Sequence, residues 1–154
     1  MAKTLDYQRE QLLTGPRERI WELLADPLQH VELHPLIQRV DIVASGAGPG
    51  PGQRYFDLEI LDRVPLLGPL ALPVRYRTHM ICDPSDHSFH MRATCPPRLV
   101  TEVRWSLQAV EGGTLLRERV ELSAPAPLVA FSIRASRESH EAMFAALQQR
   151  LLAG

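Results

Sequence analysis

From Leu36 to Ala124 the chain reads as six consecutive stretches that alternate in hydrophobicity or are rich in β-forming residues: LIQRVDIVAS, QRYFDLEIL, PVRYRTHMIC, HSFHMRATC, LVTEVRWSLQAV and TLLRERVELSA. A period of two puts alternate side chains on opposite faces of a strand, and turn residues separate the runs. Six strands in a row, with no intervening helix to carry a crossover, imply an antiparallel sheet. DPSD at residues 83–86 and EGG at 111–113 read as tight hairpin turns, and SGAGPGPG at 45–52 as a longer glycine-proline loop. From Pro127 to Leu152 the period becomes that of a helix six or seven turns long.

The segment before the sheet pattern supplies the remaining elements. Residues 3–13 read as a first strand. In TGPRERIWELLAD, Thr14 is placed to cap a helix, Pro16 suits its first turn, and Ile20, Leu23 and Leu24 repeat at helical spacing. Asp26 and Pro27 end that helix; Pro27 can open a second short one, which Pro35 stops because its ring excludes the preceding residue from helical geometry. The order is β-α-α-β6-α, an α+β arrangement. It contains no internal repeat, and residues 1–154 are expected to form one domain.

A chain of 154 residues can bury roughly 68–70% of its unfolded surface, enough for a core and an internal cavity. The formal net charge is −1 with the signs interspersed, which argues against nucleic acid or an anionic surface as partner. No stretch reaches the 18 or so apolar residues of a membrane span, and MAKTLDYQREQLL lacks a signal-like apolar run, so a cytoplasmic protein without stable membrane insertion is expected. Cys82 and Cys95 fall at the far ends of a hairpin, where register keeps them apart as free thiols. Nothing in the pattern specifies an oligomer.

Candidate site residues follow from the two periods. On the terminal helix, Ser132, Ser136, Ser139, Met143, Leu147 and Arg150 fall on one seam, flanked by Leu128, Phe131 and Ala135 on one side and by Val129, Ile133, His140, Phe144 and Leu151 on the other. Three serines are too small to fill the space between helix and sheet, which predicts a hydroxyl-lined cavity; alternatively, they let helix and sheet approach closely. Strand alternation proposes the opposite wall: Phe56, Leu58 and Ile60; Tyr76, Thr78 and Met80; Phe89 and Met91; Val103, Trp105 and Leu107; Leu116, Glu118, Val120 and Leu122. Tyr76 and Glu118 are the polar exceptions on that wall. Buried, Glu118 could donate to a ligand carbonyl or serve as general acid or base; alternatively, an arginine such as Arg104 or Arg119 satisfies it. His140, on the helix flank, is the one histidine placed near the cavity, and Glu118 and His140 are the candidate catalytic residues.

His30 and His34 sit four apart in DPLQHVELHP, but Val31 holds the position where a zincin carries glutamate, and no third ligand follows, so no metal site and no cofactor are expected. SGAGPGPGQ lacks the Lys-Ser/Thr pair and the following helix of a phosphate loop. RVPLLGPLALP at 63–73 has three prolines and four leucines, too apolar for a solvated loop and too broken for a ladder. It is expected either to fold over the core as a lid on the cavity or to dock on an apolar partner.

PRERIWELLADPLQHVELHPLIQRVDIV, GGTLLRERVEL and SRESHEAMFAALQQRLL, in this order, resemble the START/Bet v 1-like superfamily, including its bacterial polyketide cyclase/dehydrase and lipid-transport group. The resemblance covers the whole chain. It implies the helix-grip fold: a seven-stranded curved antiparallel sheet wrapped around a long C-terminal helix, with two short helices between strands 1 and 2. It also implies a single START-like domain that binds or carries a small, mostly apolar ligand such as a lipid, polyketide or isoprenoid. Members include lipid carriers, hormone and flavonoid binders, cyclases and chaperone activators, and they share no catalytic residue; the alternatives to a carrier are an enzyme of the polyketide cyclase/aromatase or dehydrase type using the same cavity and a partner-binding module docking through the 63–73 loop.

Overall fold

The computed structural model describes residues 1–154. β1 (Ala2–Leu13) leads through Gly15, whose φ of +131° turns the chain, into α1 (Arg17–Ala25). Thr14 does not cap this helix. Pro16 occupies the N-cap in extended geometry, so Thr14 falls too early to reach the first turn, and it is tied to the last helix instead. Its N–H donates to Gln148 Oε1 (3.0 Å), and Gln148 Nε2 donates to Thr14 Oγ1 (2.5 Å). α1 buries Ile20 and Leu24 and ends at Asp26, whose carboxylate accepts from Leu28 N–H (3.0 Å) and caps a 3₁₀ turn, Pro27–Gln29. A single further turn, α2 (His30–Leu33), stops before Pro35.

The strands that follow are β2 (Ile37–Ala47), β3 (Arg54–Pro65), β4 (Ala71–Asp83), β5 (Ser88–Cys95), β6 (Leu99–Val110) and β7 (Gly113–Pro125). They form one antiparallel seven-stranded sheet in the order β1-β7-β6-β5-β4-β3-β2. Two register shifts bend β2 along its edge of the sheet. α3 (Ala126–Ala153), about 42 Å long at 1.5 Å per residue, packs chiefly against β1 and β7. No helix is long and apolar enough to cross a membrane. Both cysteines are free.

The interior is divided. One apolar cluster joins α1, β1, β4–β7 and the C-terminal half of α3 through Ile20, Leu24, Met80, Phe89, Trp105, Leu116, Phe144 and Leu147. A smaller one, Ile37, Val40, Leu58 and Ile60, sits under β2 and β3. The division follows from α3 leaning toward β1 and β7, away from the other edge of the sheet.

The 63–73 segment departs from its expected form. It is an extension of the β3–β4 ladder, with Arg63 opposite Pro73, Val64 opposite Leu72 and Pro65 opposite Ala71. The ladder survives its prolines because this ribbon projects beyond β5 and the end of β2, so alternate residues face no neighbouring strand and need no donor. Nor does it cover the core: Leu66, Leu67, Leu70 and Leu72 are exposed, Leu67 to 80%.

One turn admits only glycine. Gly113 opens β7 at φ +150°, and a Cβ there would meet the Leu13 carbonyl oxygen at 2.1 Å. Gly113→Ala is expected to destabilise by about 2–3 kcal/mol through backbone strain at the β1–β7 junction, read as a lowered urea midpoint; an unchanged midpoint would show that the junction relaxes freely.

Candidate functional site

The strand residues expected to form a wall all face the helix side. Leu58, Ile60, Thr78, Met80, Phe89, Met91, Val103, Trp105, Leu107, Leu116, Glu118, Val120 and Leu122 are buried, and Phe56 and Tyr76 are partly so. On α3, Ser139, Met143 and Leu147 are buried and Ser132 and Ser136 half-buried. Leu128 and Phe131 are exposed, not part of the buried flank. Phe131 borders an open cleft at the end of β3, where no strand remains to cover it. Met80, Phe89, Trp105, Leu107, Met143 and Leu147 pack into the larger apolar cluster.

Glu118, 2% exposed, organises the polar interior. Neither Arg104 nor Arg119 reaches it, because alternation sends both to the outer face. Its Oε2 accepts from Trp105 Nε1–H (2.6 Å), directly across the β6–β7 ladder, and from His140 Nδ1–H (2.6 Å) on α3. Its Oε1 is buried without a partner. Tyr7 on β1 brings its hydroxyl to 3.3 Å from Ser136 Oγ and 3.5 Å from His140 Nδ1. Burial, then the Glu118 charge, pushes the Tyr7 phenol well above its ordinary value, so it stays protonated. Ser139 donates to the Ser136 carbonyl of its own helix (3.0 Å).

The histidines of α2 close this cluster. His30 is buried with Nε2–H donating to the Leu24 carbonyl (2.9 Å), and its ring lies 6.0 Å from that of Trp105. His34 ends α2; its Nδ1 accepts from Leu36 N–H (3.2 Å), and its ring stands edge-on to His140, centroids 5.8 Å apart. Burial lowers both, His34 to about 3 with help from His140 and His30, so both are neutral at physiological pH. Each ring nitrogen named is already engaged with the backbone.

A second polar pair lies under β3 and β4. Asp62 is buried and accepts from the Tyr76 hydroxyl (3.1 Å); burial raises its carboxyl to about 6, against the opposing effects of Tyr76 and His140. Thr78 Oγ1, also buried, has no partner.

A cleft of about 340 Å³ reaches this region from outside. Pro35 and Leu36 line it from the α2–β2 link, Val64 and Pro65 from β3, and Phe131, Arg134, Ala135, Glu138 and Ser139 from α3. Its inner residues are chain neighbours of the histidines: Pro35 and Leu36 follow His34, and Ser139 precedes His140. Of the residues expected to bind ligand, only Phe131 and Ser139 border it. Another hollow, about 350 Å³, lies mostly on the outer strand faces, where Arg39–Asp41 and Arg77–Glu59 ion pairs make it a charged, solvated surface.

Tyr7, His34 and Asp62 were not among the expected site residues. The signal for Asp62 is plain, since extending the Phe56-Leu58-Ile60 alternation by two reaches it. Tyr7 required including β1 in the wall. His34 required knowing that α2 is a single turn, which leaves its ring free to lie against α3.

No protein-family model matches the chain, and no curated protein matches it. Solved structures do. Ara h 8.0201 is 15% identical with a TM-score of 0.73, covering 99% of this chain and all of that one. A START superfamily protein from Mycobacterium smegmatis is 17% identical with a TM-score of 0.69, covering 97% of each chain. The Zhui aromatase/cyclase from Streptomyces sp. R1128 is 15% identical with a TM-score of 0.65, covering 99% of this chain and 93% of that one. The chain shares the helix-grip fold of these structures.

Proposed function

We propose that this chain is a cytoplasmic binding protein or carrier for one small, mostly apolar molecule bearing a carbonyl or hydroxyl, taken up between α3 and the β3–β4 side of the sheet. The observation that carries the reading is the 340 Å³ cleft, rimmed by Leu36, Val64, Pro65 and Phe131 and leading to Ser139 on the buried seam of α3. Its volume lies at the low end of small-molecule sites, and an apolar wall with few polar groups is what such sites use to orient a ligand. Ser139, Arg134 and Glu138, which border the cleft, supply the polar anchors. Shape and apolar area would set the specificity.

Native mass spectrometry of freshly purified protein, followed by organic extraction, tests the reading. A stoichiometric apolar adduct is expected. Ala135→Trp, which fills the cleft from α3, is expected to lower adduct occupancy at least tenfold with the melting temperature within about 2 °C of the parent, in line with a partly exposed site. Equal occupancy in parent and variant would remove the cleft as the entry.

A second reading rests on the exposed leucines of the β3–β4 arm, which form an apolar tip beside the cleft mouth. As a docking arm it would bring the cleft to an apolar surface or partner. Replacing Leu66 and Leu67 by serine is expected to reduce self-association and vesicle retention without changing ligand occupancy; no change in either property defeats this reading.

A further inference from the structure

The charge of the chain is unevenly spread. From Arg63 to Cys82 there is no aspartate or glutamate, while Arg63, Arg75 and Arg77 supply three cations. Arg77 pairs with Glu59, but Arg63 and Arg75 are exposed and form no ion pair. The register puts both on the outer face of the β3–β4 arm, Arg63 opposite Pro73 and Arg75 opposite Leu61. In the hollow at the base of the arm, Arg39 and Arg77 are neutralised by Asp41 and Glu59, which leaves Arg75 uncompensated. The formal net charge of −1, which argued against an anionic surface, averages over this local excess.

The apolar part of the arm is its tip. Leu66 N–H donates to the Leu70 carbonyl (3.0 Å) and Leu70 N–H to the Leu67 carbonyl (3.0 Å), with Gly68 at φ +56°. This turn satisfies part of its own backbone, as a segment leaving water must, and holds Leu66, Leu67 and Leu70 exposed to 53, 80 and 65%. Beside the arm, α3 adds Leu128 and Phe131, exposed and three residues apart on one face, and Phe131 borders the cleft together with Val64 and Pro65. Arg134 and Glu138 on the same rim cancel in charge.

We propose that the arm docks reversibly on an anionic lipid bilayer, its leucine tip entering the acyl boundary while Arg63 and Arg75 meet the headgroup phosphates. This assignment rests on the docking reading of the arm above and names its partner. Arg63 lies three residues from Leu66, about 10 Å of strand, which matches the depth of roughly 5–10 Å to which an interfacial apolar element is buried. The long stem of an arginine spans the remainder by reaching toward the headgroups. Charge decides between occupants. A second copy docking arm to arm would bring Arg63 and Arg75 of both chains together with no anion from either arm, whereas an anionic surface answers them. The docking is peripheral, since no helix can cross a membrane. It sets the mouth of the cleft, between the arm and Phe131, beside the bilayer.

The test is flotation of the full chain with vesicles of phosphatidylcholine alone and of phosphatidylcholine mixed with phosphatidylserine, at low and high salt, with self-association followed by sedimentation velocity. Partitioning onto the anionic vesicles is expected to exceed that onto the neutral ones at least tenfold at low salt and to fall toward it at high salt. Arg63→Gln combined with Arg75→Gln is expected to remove at least fivefold of the anionic partitioning and none of the neutral. Leu66→Ser combined with Leu67→Ser is expected to lower both at least tenfold. All four positions are exposed, so melting temperatures should stay within about 2 °C of the parent. Equal partitioning onto both vesicle types, or an arginine variant that partitions like the parent, overturns the anionic bilayer and leaves the arm as an apolar docking element. Self-association that Leu66→Ser and Leu67→Ser abolish, without vesicle binding, overturns the bilayer in favour of a second copy. Neither vesicle binding nor self-association overturns this proposal and the docking reading together.

Discussion

Glu118→Ala is expected to cost about 3–5 kcal/mol, since two buried donors would each lose a hydrogen bond to a carboxylate worth about 1.5–3 kcal/mol, and to lower the melting temperature by about 10 °C or more. The reason lies in what remains. His140 Nδ1 and Trp105 Nε1 would lose a shared acceptor 2.6 Å away, inside a cluster closed by Phe144, Tyr7 and His30. Neither donor has another acceptor within reach except the Tyr7 hydroxyl at 3.5 Å from His140, too distant to replace a carboxylate. The cavity left by the carboxylate adds to the loss. Glu118→Leu combined with His140→Leu is expected to be more stable than Glu118→Leu alone, since the second change removes the orphaned imidazole. Chemical denaturation of the four proteins in that cycle measures the coupling, expected above about 1 kcal/mol. A loss below about 1 kcal/mol for Glu118→Ala would mean that the pair contributes little, and the tautomer of His140 would lose its basis.

The fold was legible because its two periods are long and consistent. Strands β3 to β7 carry the alternation that buries one face, and α3 carries a seam that includes Met143 and Leu147. The expected hairpin at 83–86 and the turn at 111–113 fall where β4 gives way to β5 and β6 to β7. Local chemistry was less legible. Thr14 reads as a cap by residue type, yet Gly15 and Pro16 move the helix start past it, and a contact 134 residues away takes over its hydroxyl. The arm at 63–73 reads as broken because proline usually interrupts a sheet, whereas here it sits on a ribbon with open sides.

The site was legible by face but not by pairing. Alternation places Glu118 and Trp105 inward on β7 and β6; that they stand directly opposite depends on register, and that His140 comes down on both depends on the lean of α3. The seam of serines signalled thin packing. Its consequence is a cleft open at one end instead of an enclosed chamber, because the C-terminal half of α3 is filled by Met143, Phe144 and Leu147 against the sheet. Charged residues buried without an arginine partner are the positions where sequence type alone says least, since His, Trp and Tyr satisfy them as well as Arg does.

Stability is expected to fall as the pH drops from 7 to 4, with His34 as the main cause and His30 acting in the same direction. Burial lowers both in the folded protein, His34 from 6.5 to about 3, while the unfolded chain takes up their protons near 6.5. Below 6.5 the unfolded state therefore binds more protons; His34 withdraws about 1.36 kcal/mol per pH unit, and His30 acts in the same direction. For His34 alone, the interval from 6.5 to 4 amounts to about 3.4 kcal/mol. Asp62 acts in the other direction. Its folded carboxyl titrates near 6 against an ordinary 3.8, so the folded state takes up that proton first, and stability is regained between about 6 and 4. The net loss should be steep from 6.5 to 6 and shallower below. Urea midpoints at pH 7.5, 6, 5 and 4 measure it. His34→Asn, which keeps an acceptor for Leu36 N–H, should flatten the lower range; Asp62→Asn, which keeps an acceptor for Tyr76, should raise stability at pH 7.5 by about 3 kcal/mol and steepen the loss between 6 and 4. A parent protein equally stable at pH 7 and pH 5, or a His34→Asn variant with the parent's slope, would show that these rings reach water and protonate freely.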